Sequence, residues 1–402
     1  MTIQDGGVFM PGFGGEEKES GVILENIVRG WAMTRDLTST GIYADYFTMF
    51  NKDRTKRLGG AAASPIGGTT YVGTYVIDPA TLSTLSTISQ INGTIGQVYK
   101  FTGNFMSYVE IAPDDDYCIS SGVAGQFRRL DFNSAYQIVG GIKIIFDEQA
   151  GANRSWKKPR IIDAAHFVSV AASELQEVKV FEYDANAGTA TILKTINVGF
   201  DIQAYNIVNG KLIVIGTTMQ VAIIDIDTEA VIYSETATVA LWDVVVAENY
   251  AFVKTTQDTT IPMLAYNVAD PANIIKLNLA PKGIILTGTM ISPCNIVKDD
   301  NNLADDVFLI IYHSNNGANL GMFVDVITGA VWNVDFTAGV LTGNNSVIQP
   351  SIIAGNRLLF ATNFSGTPGN TQMALFRYAN TLISFSIDGN GYEIKTLAAA
   401  QK

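Results

Sequence analysis

One phrase recurs along this chain and restricts its fold more than any other feature. It is a short apolar strand, an acidic or Asn turn, and a second apolar strand. It reads "AIIDIDTEAVIYSE" from Ala222 to Glu235. Aligned on the turn, it falls at Asp78, Asp131, Asp184, Asp225, Asn267, Asp325 and Asp388, at intervals of 41 to 63 residues. For the last unit, "MALFRYANT" at 373–381 is a competing placement. A second phrase precedes the first: strand, tight polar turn, strand. It appears as "SYVEIAPDDDYCISS" (107–121), "YNIVNGKLIVIG" (205–216), "DVVVAENYAFVKT" (243–255) and "PSIIAGNRLLFATN" (350–363). Asp-Asp-Asp, Asn-Gly, Glu-Asn and Gly-Asn fill its turn, as hairpin geometry requires. Val, Ile, Tyr, Phe and Thr dominate the strands, as pleated, half-buried surfaces prefer.

Each unit thus holds about four short antiparallel strands. One such sheet cannot bury both of its faces alone, but sheets packed face to face around an axis can. The sequence therefore predicts an all-β protein, a seven-bladed β-propeller over residues 35–402. In each unit the Asp or Asn is expected to accept hydrogen bonds from backbone N–H groups in the turn joining the third and outer strands. The inner strands are expected to be the most apolar, with Ile213 and Ile223 in the core.

Residues 1–34 stand apart. "GGVFMPGFGG" is glycine-rich, has no period, and reads as an extended arm. Ile23, Leu24, Ile27, Val28 and Trp31 fall at helical spacing and predict a short helix from Gly21 to Met33, with an inner strand of the first blade as the competing reading. The arm holds Phe9, Met10 and Phe13 between glycines. These are expected to anchor it on another protein subunit, the alternative being that it folds back over its own propeller.

Two spelled-out units carry a resemblance. "YNVADPANIIKL" at 266–277 resembles bacterial propeller repeats of the LVIVD type, and "YVIDPATLSTLSTI" at 75–88 resembles the related YVTN type. The resemblance implies the fold and leaves function open, because propellers host enzymes, binders and scaffolds alike.

Charge and chemistry narrow the function classes. A net charge of −12 argues against a protein that grips nucleic acid, whose affinity comes from neutralising phosphates. No stretch approaches ~18 consecutive apolar residues, so no membrane-spanning helix is expected. The first residues lack a basic start followed by an apolar block, so no secretory signal is read there. Cys118 and Cys294 are the only cysteines, and His166 and His313 the only histidines. That count supports neither a disulfide framework nor a metal site, and no cofactor is expected. Asp114, Asp115 and Asp116 could offer oxygens to Ca²⁺ but occupy a turn slot. No phosphate loop and no nucleophile elbow occurs. Asp163, His166 and Asp243 are the scattered candidates an axial enzyme site would need.

Two basic knots interrupt the repeat. "NKDRTKR" carries Lys52, Arg54 and Arg57, and "NRSWKKPR" carries Arg154, Trp156, Lys157 and Lys158. Both are expected to be rim loops that meet an acidic or phosphate-bearing partner surface. Together these features predict a non-enzymatic structural subunit of a homo-oligomeric assembly. In overall character the chain resembles the nozzle and hub proteins of bacteriophage tails, and that resemblance implies a virion protein made in the host cytoplasm. DNA would be transient cargo. An extracellular or surface-layer propeller that binds protein or glycan after leader removal is the alternative, and a lactonase- or dehydrogenase-type propeller the third.

Overall fold

Alternating β-branched and aromatic residues, broken by Asn-Gly and Asp-rich turns, leave the chain little choice but antiparallel hairpins. The computed structural model describes residues 106–122, 125–135, 138–148, 156–255 and 263–279 without interruption, and elsewhere little beyond strand segments. The fold is an all-β propeller.

Four successive blades, rather than the seven of the sequence repeat, are described through their side chains. The first holds Met106–Ile111, Tyr117–Gly122, Gln126–Phe132 and Ile138–Asp147. The second holds Arg160–Ile161, His166–Ser169, Glu177–Asp184 and Thr189–Asn197. The third holds Ile202–Val208, Lys211–Gly216, Gln220–Asp225 and Val231–Thr236. The fourth holds Leu241–Ala247, Tyr250–Thr255, Met263–Asn267 and Ile275–Leu279. In each blade the strands pair antiparallel in chain order, from an innermost to an outer strand. Strand pairing defines three further four-stranded sheets, built on Tyr46–Met49, Asn295–Lys298 and Val347–Ile353 as first strands.

The core lies between the blades. One cluster joins Ile119 and Phe127 of the first blade to Phe167 and Phe181 of the second. The next joins Val178 and Val180 of the second to Leu212 and Val214 of the third. A further one joins Ile213 and Ile223 of the third to Val253 and Tyr266 of the fourth. The second and third blades thus bury both faces against their neighbours. Ile213 and Ile223 are cross-strand partners and fully buried, as expected.

They sit on the second and third strands, however, and those are the most apolar. "YAFVKT" is buried throughout and "KLIVIG" at all but its first residue, whereas the innermost "LWDVVVA" is buried at only two positions. Middle strands are covered by blades on both sides. Innermost strands also face the axis, where polar side chains are tolerated.

The predicted turn chemistry appears in three of the four blades. Asp184 Oδ1 accepts from the backbone N–H groups of Asn186 and Ala187, at 2.8 and 3.2 Å. Asp225 Oδ1 accepts from Asp227 and Thr228, at 3.0 and 2.9 Å. Asn267 Oδ1 accepts from Ala269 at 2.9 Å. In the first blade Asn133 takes this role with Ala135, and Asp131 instead pairs with Arg129 and Lys143. A bulge between Leu130 and Asp131 shifts the register there. Asp325 also ends a third strand, while Asp78 lies outside the described residues. Asp388 departs from expectation. It ends Ile383–Asp388, which among the described residues pairs with Gly391–Thr396 alone, and the third strand of the last sheet is Gln372–Tyr378, which overlaps the competing placement.

Asp225 also tests the turn reading. Lys211 Nζ, across the strand at 2.6 Å, and the Thr228 N–H hold its carboxyl well below the usual carboxylate range. A depressed carboxyl contributes stability at neutral pH, and that contribution fades as pH falls below about 4. Asp225→Asn should retain the turn acceptor and lose only the charge, so its melting temperature should fall less than that of Asp225→Ala, and its acid sensitivity should be reduced. Equal losses in thermal melts at pH 7 would show that the turn bonds contribute nothing.

The predicted helix is a strand. Val22–Arg29 is the outer strand of the last sheet, antiparallel to Gln372–Tyr378. A bulge between Leu24 and Asn26 inserts one residue and shifts the alternation. The mixed spacing of two and three imitates a helical period. Ahead of it, Thr2–Gln4 and Gly7–Phe9 pair with each other, so the arm begins as a small hairpin rather than a fully extended segment.

Candidate functional site

Every innermost strand of the four blades carries one extra residue near its start. Bulges fall between Met106 and Tyr108, Ile202 and Ala204, and Leu241 and Asp243. In the second blade the four steps from Trp156 to Arg160 are matched by three from Val168 to Ala171. Bulges re-aim side chains at the rims of closed sheets. Here they mark one end of the axis in every described blade. Gln203 and Trp242 are the inserted residues of the third and fourth blades, and Trp242 is 42% exposed.

A charged cluster lies beside these bulges. Glu110 Oε2, on the first blade, receives Lys158 Nζ at 3.0 Å and Arg160 Nη1 at 3.4 Å, both from the second. The Tyr205 hydroxyl of the third blade donates to the Lys158 carbonyl at 2.5 Å and lies 3.3 Å from Ser169 Oγ. Asn206 Nδ2 reaches the Val244 carbonyl of the next blade at 3.3 Å. Asp243 is the cross-strand partner of the buried Lys254, and its Oδ1 accepts from the Val244 N–H at 2.8 Å.

Burial acts on these charges unequally. Burial alone would raise the Glu110 carboxyl, but Lys158 and Arg160 outweigh it and hold Glu110 below the usual range. Burial pushes the Lys158 ammonium down, against the opposing pull of Glu110. Burial raises the Asp243 carboxyl, and Arg160, Lys254 and Lys158 only partly offset that. The fields of Lys158 and Arg160 therefore reach from the second blade to the fourth.

The basic knots part company here. The second one is not a rim loop. Trp156 is 1% exposed and packs against Phe127, Phe146 and Phe181, with its Nε1 donating to the Gly125 carbonyl at 3.3 Å. It offers a partner nothing. Lys157 caps the carbonyls of Ile202 and Gln203 in the next blade, at 2.5 and 3.0 Å. Lys158 joins the axial cluster. Arg57 lies on the strand Lys56–Ala61 and pairs with Tyr75, so it is not in a loop either. Phe9 ends the short strand Gly7–Phe9. Met10, Phe13, Lys52, Arg54 and Arg154 lie outside the described residues.

His166 begins the second strand of its blade, and its Nδ1 lies 2.9 Å from Asp163 Oδ1. Asp163 also accepts from the Ala165 and His166 N–H groups, at 2.8 Å each, so the pair closes the inner hairpin turn rather than lining the axis. Asp114, Asp115 and Asp116 occupy the equivalent turn of the first blade, with Asp115 at φ 60°. Among the described residues, no group of three His, Cys, Asp or Glu is placed to hold a metal ion. Burial pushes the Cys118 thiol up, as for a small apolar core residue. Glu110 and Lys254 were missed in the sequence. Each is a lone charge inside an apolar strand, "MSYVEI" and "YAFVKT", and an isolated charge of that kind signals a buried partner.

No family model matches this sequence, and no curated protein matches it. Solved structures match in fold. A chain of the mitotic checkpoint complex aligns with a TM-score of 0.55 at 10% identity, covering 92% of this chain and 95% of that one. The β-propeller domain of Cps50 (Swd1) from Myceliophteria thermophila aligns with a TM-score of 0.55 at 10% identity, covering 90% and 100%. The computationally designed Ika8 protein aligns with a TM-score of 0.50 at 13% identity, covering 84% and 97%. At such identities the likeness extends to the fold alone.

Proposed function

We propose that this chain is a non-enzymatic structural subunit of a larger assembly, a rigid propeller disc against which neighbouring subunits pack. The observation that supports this most is the rim. Among the described residues seven large hydrophobic side chains are exposed, and six of them lie on outer strands: Val139 and Ile144, Ile192 and Leu193, Val231, and Ile275. All four described blades contribute. Outer strands also carry unpaired backbone groups, and a lone disc normally blunts such edges with charge. Exposed apolar side chains repeated around an edge fit a contact surface better than a free one.

The fuller reading is a seven-bladed ring. Seven four-stranded sheets support it, as do contacts between neighbouring first strands that run in cyclic order and return to the start. Within it, Phe9, Met10 and Phe13 anchor the N-terminal arm on a neighbouring subunit. A bacteriophage virion, with the chain in a tail nozzle or hub, is the assembly we favour. The net charge of −12 suits a wall past which DNA slides without being held.

The rim reading is tested by the double variant Val231→Glu/Ile275→Glu. Size-exclusion chromatography with light scattering should show the unaltered chain as an oligomer and the variant as a monomer, with the melting temperature changed by no more than a few degrees. A chain that is monomeric throughout, or a variant that assembles normally, would remove the rim as the contact surface.

A further inference from the structure

We propose that the outer strand of the fourth blade, Ile275–Leu279, pairs antiparallel with the same strand of a second copy of this chain, so that two sheets join into one. The rim reading, on which this rests, thereby gains a specific contact and a specific partner. The outer strands of the seven four-stranded sheets are not alike. Five of them carry extra residues against their third strand. These lie opposite the steps Gly73 to Tyr75, Phe127 to Arg128, Val180 to Phe181 and Ile223 to Ile224, and between Leu24 and Asn26 of Val22–Arg29. Such bulges bend an edge and blunt it against other strands. Ile275–Leu279 has none, and pairs residue for residue with Met263–Asn267. The other regular outer strand, Val331–Asp335, belongs to the adjoining sheet.

The residues of the strand leave this edge open. "IKLNL" holds no Pro and no Gly, and its one charge, Lys276, is tied to Glu235 of the third blade at 2.7 Å. Ile275 and Asn278 are exposed, and among the described residues the strand pairs with Met263–Asn267 alone. Set antiparallel to itself, the strand matches from end to end in one register, with Leu277 on the two-fold axis, Ile275 opposite Leu279 and Lys276 opposite Asn278. That register puts apolar against apolar on one face and opposes no like charges on the other. The partner is a second copy in a closed pair, because the two regular edges sit on adjoining blades. A ring or filament needs matching contacts on two separate sides of the disc, whereas a two-fold pair needs one. Main-chain hydrogen bonds across the joined edges supply the affinity in this mode of recognition.

The test uses the full chain. Hydrogen exchange read by mass spectrometry should find the 275–279 amides slow in the assembled chain and faster once dilution dissociates it, because alternate N–H groups of an edge strand face outward and are covered only by pairing. Ile275→Pro and Asn278→Pro fall on opposite alternations of the strand, so one removes an N–H that faces Met263–Asn267 and the other an N–H that faces out. The variant that keeps the melting temperature of the unaltered chain should dimerise roughly tenfold more weakly, the scale of two main-chain hydrogen bonds per pair. Exchange in the unaltered chain decides the matter even if neither variant folds. Strand pairing is overturned, and the rim reading left standing, by an oligomer whose 275–279 amides exchange alike when assembled and dissociated. The same follows if a proline variant of unchanged melting temperature assembles normally. A chain that is monomeric at every concentration overturns both.

Discussion

Replacing Phe181 by Ala is expected to cost about 3–5 kcal/mol, the usual range for emptying an aromatic site in a core. Phe181 is fully buried on the third strand of the second blade. Its ring stacks on Phe167 at 4.7 Å and meets Phe127, Phe146 and Trp156 at 5.0, 5.1 and 5.3 Å. Phe127 and Phe146 belong to the first blade, so the cluster is what joins the two blades. Urea titration should show the loss as a lower midpoint. Phe127→Ala should cost a similar amount, and the double variant less than the sum, because both rings line one space. Additive losses, or a neutral Phe181→Ala, would mean that these blades are held together elsewhere.

The same cluster shows how much of the fold was legible. The recurring phrase required hairpins, and the hairpins required packing between blades, so Ile213 and Ile223 could be placed in the core from periodicity alone. Trp156 could not. Its neighbours Arg154, Lys157 and Lys158 make the stretch look solvated, yet a strand that alternates between a blade core and the axis can carry both kinds of residue. Lys157 and Lys158 are satisfied by carbonyls and by Glu110 from adjacent blades, contacts whose partners lie 45 to 48 residues away. Local composition holds no information about such partners. For a related reason Val22–Arg29 reads first as a helix and only second as a strand, an inner one of the first blade rather than the outer one of the last sheet, since one bulged residue is enough to turn a period of two into an apparent helix. Asp243 was named in the sequence and Glu110 was not, though both are lone charges in apolar strands; that Lys158 and Arg160 act on both depends on ring geometry that a linear reading does not contain.

Removing residues 2–30 is expected to cost most of the roughly 5–15 kcal/mol by which a domain of this kind is stable. The deletion takes away Val22–Arg29, the outer strand that completes the last sheet, and leaves Gln372–Tyr378 as a bare edge. That edge exposes the segment "QMALFRY", which is apolar enough to recruit another chain. Joining the beginning of the chain to its last full sheet also fixes the two ends together, so losing the strand lets that sheet detach from its neighbours. Aggregation on purification, or a melting transition lowered by well over ten degrees, is the expected result, and a synthetic peptide of residues 20–31 supplied in excess should restore part of it. The shorter deletion, residues 2–15, separates closure from docking. It removes the hairpin Thr2–Phe9 with Met10 and Phe13 but spares Val22–Arg29. That protein should melt within a few degrees of the full chain and yet fail to enter its assembly. If the longer deletion melts like the full chain, the strand does not close the sheet. If the shorter one assembles normally, Phe9, Met10 and Phe13 are not anchors.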